Sequence, residues 1–559
     1  MCRTVVPFVC AVASCLIVAG CSAGGGKACR GDHDYGWKGL FAGPAEAGYN
    51  EALVEVAKMR DRQFWALHAL PTGLNTEISI DRSKTEVRQA VEDFLRKTSG
   101  WDFEAATGIS PAENFDAWHL AAGAYAGVGL AADAYRYGVM RDQCYPPEQV
   151  DTARQQLLRA IDGWLLAMEV TGKPGVIARA IMNRDYPGTE GIETVPLFDG
   201  QGNPLPEEKN NGTWREDQSG EHPNIIWVDS CSRDMLIGWV VGLGAAWEVI
   251  ENDETIPVEL KERLRSRALE LADNLRRVRP NGYDLELEDA DGRTTFHGYL
   301  NENNLDRMYI DGVRNGFHAI MALGIIAALV DVTGDRDLEN YLYKELIDER
   351  DFARIAAENT IVINMEEVTN FSNYNMAFEG AWLALRHLHR DPIARQDIRE
   401  AVEVQLFDTP GKHFQPAEFG HAFFDLVTVA SRCDAEAGVG CRQAVDEALI
   451  QRIVQTLSEF PQPPFWEFKR ENCDDREIAS GSCIAEDGQT HLTVLGEVGR
   501  NGDLIVAEPL PMRLRPVSNY YWRSNPYKPN GGNDGPGMYA GPDFRMVYWA
   551  ARWLRRPAE

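Results

Sequence analysis

The sequence predicts an all-α fold in which six apolar helices form an inner ring and six amphipathic helices surround it, a closed double α-barrel. Three observations carry this. Helical segments alternate between two kinds, one apolar nearly all round and rich in Gly and Ala, the other with an exposed charged face. Links from the first kind to the second are short, whereas the return links are long. Alternation with a period of two is confined to short stretches inside those long links, which predicts small β-hairpins at one end of the barrel.

In chain order, the inner segments are 115–137, 230–250, 310–332, 375–389, 419–432 and 543–554. The outer ones are 148–170, 256–278, 335–350, 393–406 and 441–459. Leu236–Trp247 has no polar face and must be surrounded by protein, while Leu260–Leu269 carries a clear apolar stripe. The sixth inner segment closes the chain, so its outer partner is an N-terminal helix, near 45–62 or 84–97. Short links fall at Asn252–Thr255, Thr333-Gly334 and Arg390–Pro392; long ones span about 171–229, 279–309, 351–374 and 460–542. In a ring of hairpins, links of one type gather at one end, so the long loops collect over the inner-helix N-termini, where binding groups concentrate. Asp284–Phe296 reads as a hairpin turning at Asp291-Gly292, and Leu197–Pro204 as a second turn. The helix order resembles the (α/α)6 toroid of many carbohydrate-active enzymes. A helical solenoid uses the same two-helix unit, but these segments share neither a fixed period nor a consensus.

The first residues carry a separate resemblance. Arg3 precedes an apolar run, Val5–Val18, too short to span a bilayer, and Val18-Ala19-Gly20-Cys21 resembles the lipobox of bacterial lipoproteins. That resemblance implies cleavage before Cys21, lipidation of Cys21, and export; an ordinary secretory signal is the alternative. Ser22 resembles the residue that permits outer-membrane sorting. The expected organisation is a signal peptide over 1–20, a tether over 21–40 containing Gly24–Gly26, and one toroid domain over 41–559. No later apolar run approaches the length of a membrane span. The net charge of -29 excludes nucleic acid and an anionic membrane surface as partners, so contact with a membrane is expected only through the lipid; the sequence does not indicate an oligomeric state.

Cys433 with Cys441, and Cys473 with Cys483, are close in polar, loop-like sequence and read as local disulfides in an exported protein. Cys29 with Cys144 is a third pairing, leaving Cys231 free. The cysteine spacings match no zinc pattern. His387 and His389 stand two apart on a predicted helix, where two ligands would not face one another, so no metal site is expected.

Polar clusters mark the inner-helix starts. In Trp227–Asp234 one residue suffices to cap the helix, and a charge directly before an apolar run must pair or face a cavity. This selects Asp229, Arg233 and Asp234. The second cluster, Asn301–Asn315, contributes Glu302, Tyr309, Asp311 and Arg314. It lacks the EF-hand pattern, so no cofactor is expected and calcium is only a minor reading. Asn373 and Tyr374, with Glu379 one turn on, form a third. Asn114/Asp116/Trp118/His119, Glu418/His421 and Tyr539/Asp543 complete the set. The loop Asn519–Tyr527, with Trp522, is aromatic and amide-rich, a composition suited to sugar rings.

The resemblance implies an enzyme acting on a carbohydrate. Hydrolysis needs two carboxyl groups at a defined separation, with Asp234 and Asp311 as first choices and Asp229 and Glu302 as substitutes. Arg233, Tyr309, Asn373, Tyr374, Trp522 and Tyr539 would then bind substrate. A lyase would use Tyr374 or His421 as base, with Asn373 and Arg314 on a uronate carboxylate. The acidic charge favours hydrolysis of a neutral glycan. A glycan-binding lipoprotein without catalysis, and a hydratase, dehydratase or isomerase using Cys231, are the readings from other classes.

Overall fold

A computed structural model describes residues 37–558 apart from 45, 70 and 517–524. The expectations for the signal peptide, the tether, Cys21, Cys29 and Trp522 lie outside the described residues. The described chain is mostly helical, with a few small sheets.

Six helices form the centre: α1 (Gly123–Asp142), α2 (Arg233–Ile250), α3 (Gly316–Thr333), α4 (Phe371–His387), α5 (Ala422–Arg432) and α6 (Pro542–Trp553). Each packs on the next in this order, and α6 packs back on α1. Glycine sets the closest of these approaches. A Cβ at Gly127 of α1 would overlap the Gly238 carbonyl of α2, and one at Gly324 of α3 would overlap the Gly380 carbonyl of α4. The contacts of α1 and α2 advance together, from Gly123 and Ala124 against Gly238 to Gly127 against Gly242, so these two helices run parallel. α3 is long and apolar enough to cross a membrane by composition, yet 83% of that span is buried inside the protein.

The outer helices cover this centre. Pro147–Glu169 and Val258–Arg276 match expectation. Arg336–Asn340 and Pro392–Glu400 continue as wider π-helical turns through Glu349 and Phe407. The helix partnering α6 is Glu51–Gln63, not Thr85–Lys97. Two expectations need correction. The first inner helix starts at Gly123 because 117–118 and 121–122 are spent on strands. The 351–374 link holds a helix, Phe352–Asn359, whose Phe352, Ile355 and Ala356 are buried. The hairpin forms as Glu286–Glu288 paired with Thr294–Tyr299, and Phe198 bridges Pro204.

An ionic cluster lies inside the apolar centre. Arg545 of α6 donates to Asp61 (2.7 Å) and Asp133 (2.5 Å), and Trp549 and Trp65 donate to the same two carboxylates. Burial is tolerated because each charge meets its opposite and further hydrogen bonds. Disulfides join Cys433 to Cys441 and Cys473 to Cys483; Cys144 is also disulfide-bonded, and Cys231 is a free buried thiol.

Candidate functional site

Four short extended pieces lie side by side at the loop end. β1 (Ile78–Ser79) pairs antiparallel with β2 (Ala117–Trp118) and with β3 (Gly537–Met538), and Trp466 bridges Met538 from the far side. Further backbone bonds extend the ladder, from His119 to Glu77, Glu467 to Gly537 and Tyr539 to Phe465. Residues opposite one another share a face, and neighbours along a strand alternate. Ile78, Trp118, Met538 and Trp466 therefore point to one side, where they join Phe94, Phe103 and Phe115 in an apolar cluster. Glu77, Ser79, His119, Tyr539 and Glu467 must share the other. That face floors a cavity of about 440 Å³ whose walls include Asn75, Leu120 and Tyr125.

The two acids of this floor differ. Glu77 Oε2 accepts from the Ala540 N–H at 3.0 Å, while Oε1 is buried without a hydrogen-bond partner. Burial, reinforced by the nearby Asp543 carboxylate and opposed by the Ala540 N–H, pushes the Glu77 carboxyl up to about 8. Glu467 accepts from the Gly537 N–H at 2.8 Å, and the Tyr539 hydroxyl donates to its other oxygen at 3.5 Å. A Cβ at residue 537 would stand 2.9 Å from the Glu467 carboxyl carbon, so only glycine lets this carboxylate lean across β3 towards β1. Residues 537 and 77 are diagonal neighbours in this register, a spacing of about 7–8 Å. Both carboxyl groups line the same cavity. His119, whose burial favours the neutral imidazole, places Nε2 3.0 Å from the Ser79 hydroxyl.

Of the residues chosen from sequence, Tyr539 and His119 stand at this cavity. The first-choice acids do not meet there. Asp234 accepts from the Ser232 hydroxyl at the start of α2. Asp311 is exposed and accepts from Tyr283 at 2.9 Å. Asp229 and Glu302 are each paired with a cation. Asp229 is buried in an ion pair with Arg215 (2.6 Å), with Lys209 beyond it, and Glu302 is held by Arg350 at 2.6 Å. Their charges are met by protein, not by a cleft.

The second cluster builds its own loop. Asn301, Asn304 and Asn315 accept from the backbone of Asn303, Arg307 and His318. Tyr309 stacks on Tyr283 with ring centroids 3.7 Å apart and donates to Glu286. Arg314 is exposed and paired with Asp351; Arg233 lies over the Phe317 ring. Asn373 contacts Asn370. Tyr374 is buried among Phe371, Phe419 and Phe424, and His421 stacks on Phe424. Tyr374 and His421 thus share Phe424, while Arg314 lies exposed. Burial pushes the Cys231 thiol well above its ordinary range.

Sequence reasoning missed Glu77 and Glu467. The available signal was the alternation in Glu77-Ile-Ser-Ile80 and in Phe465-Trp-Glu-Phe468, each with one polar residue between apolar ones. The histidine pair also needs correction. α4 ends at His387, and Leu388 adopts φ -90° and ψ 88°, so His389 leaves the helix and both rings reach Asp331.

No family model matches this sequence, and no curated protein does. Among solved structures, the cellulase Cel9M of C. cellulolyticum is 12% identical over 91% of this chain and 99% of its own, with a TM-score of 0.36. A sugar epimerase from a ruminal bacterium is 10% identical over 76% of this chain and 87% of its own, at 0.35. The endoglucanase CelQ of Clostridium thermocellum, solved with cellobiose and cellotriose, is 12% identical over 78% of this chain and 62% of its own, at 0.32.

Proposed function

We propose that this protein is a glycoside hydrolase cleaving a neutral glycan, with Glu77 as proton donor and Glu467 as base. The observation that carries the reading is the pair itself: two carboxyl groups on one face of a small sheet, flooring a cavity, with burial pushing the Glu77 carboxyl up to about 8. Inversion needs the two carboxyl groups about 6.5–9.5 Å apart, which leaves room for a water molecule between base and sugar. Glu77 would pass its proton to the glycosidic oxygen as the bond breaks. Glu467 would take a proton from water attacking the opposite face of the sugar, giving a product of inverted configuration. Tyr125 and Tyr539 offer ring faces for stacking on sugar C–H groups, and Ser79 and His119 offer hydrogen bonds to hydroxyls.

The closed succession of contacts from α1 to α6 supports the (α/α)6 reading. The Val18–Cys21 motif supports a lipid-anchored, exported enzyme. The test is a glycan panel, neutral and uronate-containing, read by reducing ends and by ultraviolet absorbance of unsaturated products. Reducing ends without absorbance, lost in both Glu77→Gln and Glu467→Gln, are expected. Unsaturated products, or full activity in both variants, would overturn the proposal.

A further inference from the structure

The end of the barrel opposite the cleft holds a second cluster of donor groups. Asp331 lies in the last turn of α3, His387 is the last residue of α4, and His389 follows two residues on. Asp331 Oδ2 stands 2.8 Å from His387 Nδ1 and 3.1 Å from His389 Nε2. One ligand atom from each of the three residues lies within 4.8 Å of the other two. We propose that these side chains form a binding site for a divalent transition-metal ion of the zinc class, with a fourth position open to solvent.

Donor chemistry and support both fit such an ion. Two imidazole nitrogens and one carboxylate oxygen are the ligand types zinc takes, and bonds of about 2.0–2.1 Å put neighbouring ligands about 3.3 Å apart in a tetrahedron. The two Asp331 spacings need open by only a few tenths of an ångström, and the histidine nitrogens already lie within 4.8 Å of one another. His389 is oriented by its other nitrogen, since Nδ1 lies 2.9 Å from Glu436 Oε1. A carboxylate behind the histidine fixes both the tautomer and the ring direction of a metal ligand. His387 is buried against α2, where a Cβ at residue 244 would stand 2.8 Å from its Nε2; glycine there makes room for the ring. The surroundings favour a cation. The carbonyl ends of α3 and α4 carry partial negative charge, and Glu251 lies close enough to feel Asp331 and His389. Asp331 and His389 are each about one-third exposed, at 30% and 32% of their side-chain surface, which leaves an entry path.

The site is remote from Glu77 and Glu467, so it stands or falls separately from the proposed activity. Chelator-treated full-length protein titrated with Zn2+ should bind one ion per chain by calorimetry, confirmed by elemental analysis after gel filtration. The same protein loaded with Co2+ should show the visible absorption of a four- or five-coordinate, histidine-ligated ion. His389→Gln and Asp331→Asn should each weaken binding at least tenfold. Absence of both stoichiometric zinc and the cobalt bands in the unaltered protein would overturn the proposal without relying on any variant. Unchanged binding in both variants would do the same.

Discussion

Glu77→Gln should make the protein more stable and less active at once. In the folded protein the carboxyl titrates at about 8, against 4.5 when unperturbed. Between those values the folded state holds a proton that the unfolded state has released, so stability falls as pH rises through the window. At 1.36 kcal/mol per pH unit the full effect is about 5 kcal/mol above pH 8, of which about 3 kcal/mol is expressed at pH 7. Water at the cleft mouth relieves part of this, which leaves roughly 2 kcal/mol at pH 7. Gln has the same shape and no charge, so it removes the pH-dependent cost. A chain of this length unfolds with an entropy of about 1.1 kcal/mol/K, and 2 kcal/mol then corresponds to about 2 °C. Scanning calorimetry of both proteins from pH 4.5 to 9 should show coincident midpoints at the acid end, with the variant gaining steadily as pH rises. A difference that is constant with pH, or a variant less stable at pH 8, would refute the reasoning.

The remaining expectations concern the same site and the frame that carries it. Glu467→Gln should lower kcat by about 10²–10⁴ with the melting temperature within a few degrees, measured by reducing-sugar kinetics and calorimetry. The activity of the unaltered enzyme should decline as pH rises through about 8, where Glu77 loses its proton; a pH profile of kcat/KM reads this limb. Asp133→Ala should destabilise by about 3–5 kcal/mol, because it leaves the buried Arg545 with one carboxylate fewer. Gly127→Ala should cost about 1–3 kcal/mol or more, since the new methyl meets the Gly238 carbonyl; denaturant unfolding measures both. Cys21→Ser should abolish labelling by palmitate, and retained labelling would remove the lipid-anchor proposal.

Much of the frame was legible in the sequence because it is written in local periodicity. A helix with no polar face, such as Leu236–Trp247, can only be interior, and a charged stripe such as that of Val258–Arg276 can only be exterior. The two disulfides were legible because their partners lie 8 and 10 residues apart. The site was not legible in the same way. Asp229 and Glu302 have the residue type and position of catalytic acids, and nothing in their own segments reveals that Arg215 and Arg350 neutralise them. His387 and His389 were placed on one helix, and a single extended residue, Leu388, turns both towards Asp331.

Glu77 and Glu467 are separated by nearly four hundred residues and sit in stretches too short to stand out as strands. Their meeting depends on β1, β3 and the 465–467 segment lying side by side, with one apolar face pressed against Phe94, Phe103 and Phe115. The sequence by itself determined the apolar central helices and most of the amphipathic outer ones, since each follows from neighbours along the chain. Tertiary structure alone decided which charges are paired with one another and which line the cavity. The physical reason is that a carboxyl group's state is set by burial and by the charges around it, and those neighbours are brought in by folding from distant parts of the chain.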